Sequence, residues 1–181
     1  NIWALDLSPD DRLVAGLSGG GELIVYWADN GTSYMNFHNH SDSYALALKF
    51  SPDGRWLLTG GNDNDIHVYN VSNKSWEIRI DVGNDVYGIT FHSSGGYFIA
   101  ARGSGSSAYI YQTSNWTHTN SFGSFGSSSR NRGLRAVDWS PDGEAIAFAQ
   151  RRGRITAYLL PEAFMQVTGG DLPYLLENDW R

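Results

Sequence analysis

The stretch FSPDGRWLLTGGNDNDIHVYN, residues 50–70, decides the fold. An apolar end meets a Pro-Asp-Gly turn. An apolar run follows, then a Gly-Asn-Asp turn and a second apolar run. Runs of this length bounded by turn residues predict strand, turn, strand, turn, strand. An isolated meander and one copy of a repeated unit would both look like this, so the rest of the chain has to choose between them.

The chain repeats it. Phe50 stands just before Ser51-Pro52-Asp53; Leu7 precedes Ser8-Pro9-Asp10, Trp139 precedes Ser140-Pro141-Asp142, and Phe91 precedes the weaker His92-Ser93-Ser94-Gly95. A second anchor follows each first one. Tyr26, Tyr69 and Tyr158 lie nineteen residues after Leu7, Phe50 and Trp139, and Tyr111 lies twenty after Phe91. Three residues before each first anchor is a small residue: Ala4, Ala47, Gly88 or Ala136. In the best copy the pattern gives strand a (44–50), strand b (55–60), strand c (65–70) and strand d (75–81). A four-stranded unit of about 40–45 residues is a propeller blade. The predicted fold is therefore all-β: a β-propeller of four-stranded antiparallel blades at about 2–43, 44–85, 86–133 and 134–168. Residues 169–181 read as a tail or the start of a next blade. The Gly/Ser-rich segment 120–133 reads as an insertion between the third and fourth blades.

Composition bounds the rest. With 181 residues, 41% apolar, the chain can bury a core, and its 21 glycines favour turns over long helices. There is no cysteine, which excludes disulfides and thiolate metal sites. A formal net charge of −6 argues against general nucleic-acid binding. No apolar run is long enough for a membrane helix. The chain begins with Asn1 and shows no leader, so it reads as a processed chain or an excerpt.

These features resemble the WD-repeat β-propeller family along roughly residues 2–168. Asn39-His40-Ser41-Asp42 stands for the family's Gly-His start, Thr59 for its strand-b hydroxyl, Asp63 for its b–c turn aspartate, and Tyr69-Asn70 for its Trp-Asp pair. The resemblance implies a buried hydrogen-bond chain through His40, Thr59, Asp63 and Tyr69. The other copies depart from it, with Gly20, Ser104 and Arg152 in the aspartate slot and Asp81 and Ser129 in the histidine slot. Because the family usually closes with more blades, three arrangements are open: part of a larger ring, the one favoured; self-pairing; or closure of four blades alone.

No motif supports catalysis, and no cofactor or metal is expected. Gly16-Leu17-Ser18-Gly19-Gly20 fits G-x-S-x-G, but a nucleophile elbow needs a helix after its turn. Asn62-Asp63-Asn64-Asp65 lacks EF-hand spacing. His38 and His40 share a strand face and could join His67 on a metal, although the blade network is the expected role of His40.

The arginines are more informative. Seven of eleven fall between residues 102 and 154: Arg102, Arg130, Arg132, Arg135, Arg151, Arg152 and Arg154. Turns b–c and d–a share one propeller face, which would gather these side chains on a rim suited to carboxylates. Trp3 and Tyr87 occupy the same strand-a slot as Leu46 and Arg135, and aromatic residues with arginine make interface hot spots. The expected role is a non-enzymatic scaffold for an acidic protein partner, intracellular by preference. The alternative is a secreted or cell-surface structural module, glycosylated at the sequons Asn30, Asn39, Asn70, Asn73 and Asn115.

Overall fold

The computed structural model describes residues 1–41, 44–103, 107–122, 133–150 and 153–160, with the backbone of 178–180. Every described element is a strand. They are β1 (Ile2–Leu7), β2 (Leu13–Ser18), β3 (Glu22–Trp27), β4 (Ser33–His38), β5 (Ala45–Phe50), β6 (Trp56–Gly61), β7 (Asp65–Asn70), β8 (Ser75–Asp81), β9 (Val86–Phe91), β10 (Tyr97–Arg102), β11 (Ala108–Gln112), β12 (Thr117–Phe122), β13 (Leu134–Trp139), β14 (Ala145–Gln150), β15 (Ile155–Leu159) and β16 (Asn178–Trp180). They form four antiparallel four-stranded sheets in sequence order, β1–β4, β5–β8, β9–β12 and β13–β16. The fourth sheet takes its outermost strand from 178–180, beyond residue 168 and inside the segment read as a tail.

The repeat anchors form one row across a sheet. Leu7 and Tyr26 flank Val14, Phe50 and Tyr69 flank Leu57, and Trp139 and Tyr158 flank Ile146. The nineteen-residue interval is the chain length needed to cross two antiparallel pairings and return to the same row.

The turns repeat at atomic detail. Ser8, Ser51 and Ser140 each donate to the aspartate two residues on, at 2.6, 2.5 and 2.5 Å. Each serine oxygen also accepts a backbone N–H five residues on, from Leu13, Trp56 and Ala145. In the third sheet His92 and Ser94 make the corresponding contact at 2.7 Å. The next turn position is left-handed in all four copies, filled by Asp11, Gly54, Gly95 and Gly143.

The chain divides into two compact units, Asn1–Ile89 and Thr90–Arg181. In the first, Leu13, Ala15, Leu17, Leu23 and Val25 of the first sheet pack with Leu48, Phe50, Leu57 and Tyr69 of the second. In the second, Ile99, Ile110 and Phe122 pack with Val137, Trp139, Ile146, Phe148 and Tyr158. The residue before the first anchor joins neighbouring inner strands within each unit. Asp6 meets Lys49 at 3.2 Å and accepts the Phe50 N–H at 2.8 Å; Thr90 donates to Asp138 at 3.3 Å.

Candidate interaction surface

The slot shared by Trp3, Leu46 and Arg135 is the extra residue of a β-bulge. The β1–β2, β5–β6 and β13–β14 registers slip at Ile2/Ala4, Ala45/Ala47 and Leu134/Ala136, leaving the middle residue without an opposite partner. A bulge re-aims the side chain it carries. Trp3 is 51% exposed and stacks on Tyr44, itself 55% exposed, with centroids 4.8 Å apart and planes at 26°. Gly19 lies flat against the indole: a Cβ there would come within 2.8 Å of Nε1. Tyr44 is held by its carbonyl, which accepts the N–H of Asn62 in the b–c turn. The pair is an exposed aromatic platform on the side of the b–c and d–a turns.

Tyr87 is half-buried and donates to Asp85 at 3.3 Å. Trp3 and Tyr87 belong to the first unit, and Arg102, Arg135 and Arg154 to the second. Arg102 turns onto its own sheet. Its guanidinium lies over the Tyr109 ring at 4.1 Å, and Nη1 donates to Ser107 at 3.0 Å. Arg135 is half-buried and Arg154 exposed. Arg130, Arg132, Arg151 and Arg152 lie outside the described residues.

The structure brings His40, Thr59 and Asp63 together. His40 Nε2 lies 2.8 Å from Thr59 Oγ1, and Nδ1 lies 2.9 Å from Asp63 Oδ2. Tyr69 is on the same buried face, within hydrogen-bonding reach of Thr59, and its hydroxyl also donates to Asn39 at 3.4 Å. Gly21, at φ +85°, makes room for this chain: a Cβ would stand 2.8 Å from the His40 Cβ and carbonyl oxygen. Burial raises the Asp63 pKa, but the His40 hydrogen bond and charge outweigh it and hold the carboxyl below its ordinary range. Burial pushes the Tyr69 phenol up.

His67 was not singled out in the network, yet it is 3% exposed and edge-on to His40 at 4.5 Å. Among the described residues neither of its ring nitrogens has a hydrogen-bond partner. Burial, then the His40 charge, lowers its pKa to about 4.

On the side of the a–b turns, a groove of about 240 Å³ is lined by Asp10, Trp27, Tyr34, Asp53 and Val71. Arg12 and Lys74 of this chain already cover the Trp27 and Tyr34 rings, at 5.4 and 4.1 Å. The G-x-S-x-G segment joins β2 to β3 with no helix. Among the sequons, Asn30, Asn73 and Asn115 are exposed and each precedes a left-handed residue, Gly31, Lys74 or Trp116, in the same c–d turn of successive sheets. Asn70 is buried, with Oδ1 accepting from Ser72 and Asn73, and Asn39 is half-buried beside Tyr69.

Comparison with known proteins agrees with this geometry. Residues 31–70, spanning β4 to β7, match the family model "WD domain, G-beta repeat". The chain is 36% identical over 63 residues to the Periodic tryptophan protein 2 homolog of Mus musculus, covering 35% of this chain and 7% of that protein. It is 32% identical over 77 residues to Protein groucho of Drosophila melanogaster, covering 42% and 10%. Among solved structures, U3-55K superposes with a TM-score of 0.75 at 18% identity, over 89% of this chain and 49% of that one. The RRP9 WD40 repeats give 0.76 at 17%, over 89% and 48%. The chain thus spans about half the length of these propellers and a small part of the curated relatives.

Proposed function

We propose that the chain is part of a WD-repeat β-propeller and that it is a non-enzymatic scaffold, binding a protein partner through the face lined by its b–c and d–a turns. The Trp3–Tyr44 stack carries this reading. Two large rings held out in solvent by a bulge and a glycine gain most when a partner covers them. Within the second unit, Arg135 and Arg154, with the arginines at 130, 132, 151 and 152, would supply a surface of their own that prefers acidic segments. A photo-crosslinking amino acid at position 44 should capture a discrete partner in an extract of the source cells, and one at Gly31 in a c–d turn should not. Equal capture at both positions, or capture only at Gly31, overturns the assignment of the face. Arg154→Glu should weaken binding of an acidic segment to the second unit, most at low salt.

A second reading, a glycosylated extracellular module, is supported by Asn30, Asn73 and Asn115 occupying the same exposed turn. A fall in the mass of natively purified protein on N-glycan removal would favour it. An unchanged mass would leave the scaffold reading.

A further inference from the structure

Among the described residues the polar atoms of His67 have no hydrogen-bond partner. A buried polar group without a partner calls for an explanation. The ring is held between His40 and Trp76, whose centroids lie 4.5 and 6.2 Å away. Donor atoms of His40, Asp63 and His67 all lie within 4.8 Å of one another. Asp65, two residues on from Asp63, lies 3.4 Å from Arg79 Nη1.

We propose that His67, Asp63 and His40 bind a divalent transition-metal ion of the zinc class, with solvent as the remaining ligand. Two imidazoles and a carboxylate are borderline-soft donors of the kind zinc takes. Tetrahedral bonds of about 2.0–2.1 Å place donor atoms roughly 3.3 Å apart, so the widest donor separation must close by up to about 1.5 Å. His40 is the one that changes partner. Its Nδ1 turns from the Asp63 hydrogen bond to the metal, the ring proton resides on Nε2, and Nε2–H donates to Thr59 Oγ1. Thr59 becomes the outer-shell contact that orients the ligand. The proton moves within the imidazole, so neutral His40 releases none. Neutral His67 offers a free nitrogen lone pair without any prior break.

The test is titration of the metal-free 181-residue chain with zinc(II), with cobalt(II) as the spectroscopic probe. One zinc per chain and a cobalt(II) absorption of tetrahedral intensity are expected. His67→Phe keeps an aromatic ring against Trp76 without a donor atom. It should weaken zinc by more than the roughly 10–100-fold that loss of an outer-shell partner costs. Thr59→Ala should fall within that range, and His38→Ala, at an exposed site, should change nothing. If His67→Phe does not fold, the cobalt(II)-loaded wild-type chain decides by NMR: paramagnetically shifted His40 and His67 ring protons support the site, and unshifted ones overturn it. No stoichiometric zinc, or undiminished binding by a folded His67→Phe chain, also overturns it. The first of these would leave ordered water as the partner of His67.

Discussion

The first and second sheets carry the same row of residues and bury it differently. In the second, Phe50, Leu57 and Tyr69 are 4%, 0% and 0% exposed, packed against the first sheet. In the first, Leu7 and Tyr26 of the matching row are 49% and 41% exposed. Leu5, one strand position away on the same face, is exposed too. Chemistry does not separate the two rows, since both are aliphatic and aromatic. What separates them is a neighbour. A blade face of this composition is built to be covered, and in the first sheet no described part of its unit covers it. That agrees with a chain spanning about half of the propellers it resembles.

The sharpest way to break the comparison is to truncate the middle of each row. Leu57→Ala should cost about 2–5 kcal/mol in denaturant unfolding, for lost transfer energy and a cavity. Val14→Ala, in the half-buried equivalent, should cost about 1 kcal/mol or less. Equal losses would mean that the first sheet's row is covered after all.

The second sheet also holds a buried histidine with no equivalent network in the first. His67 titrates at its ordinary 6.5 when unfolded and at about 4 when folded. Between those values the unfolded chain binds more protons. Stability is therefore complete above about pH 6.5, falls as the pH drops towards 4, and levels off below. The loss should reach up to about 3 kcal/mol in chelating buffer. His67→Phe should flatten that slope, and an unchanged slope would assign it to other groups.

His40→Ala would leave Thr59 and Asp63 buried without their partner. A loss of about 2 kcal/mol is expected by thermal unfolding. In the first sheet Gly20 fills the aspartate slot, so no such chain exists to break. The smallest effect concerns the a–b turns. Asp11 sits at φ 58° where Gly54 sits at φ 69°. Asp11→Gly should stabilise by up to about 1 kcal/mol, and Gly54→Ala should destabilise by a similar amount. The same sign for both would show that the two turns are not equivalent.

Much of the fold was legible because turns and row residues are local chemistry. Ser-Pro-Asp marks a turn that its own side chains close, and the anchor interval is fixed by two antiparallel crossings. The bulges were not legible, since one residue without a partner depends on the facing strand's register and leaves no mark in composition. The slot of Trp3 could be read from alignment of the copies, but not the reason its side chain is exposed. Tyr44 was missed as its stacking partner because it stands just ahead of β5, outside the repeat anchors. His67 was seen only as one of three histidines two or more positions apart. Its burial follows from the first sheet packing over β7, a long-range contact. The arginine rim was legible as a count, but Arg102 shows that a guanidinium beside an aromatic strand can be held by its own sheet.

The most direct measurement is the solution mass of the 181-residue chain by light scattering, with a variant carrying Leu5→Lys and Leu7→Glu beside it. If the first sheet's row is a blade face without its neighbour, the parent chain should associate to a mass well above 20.0 kDa and the variant should not. A parent chain that stays a monodisperse, cooperatively folded monomer at that mass would show the face already covered, and the contrast between the two sheets would fall.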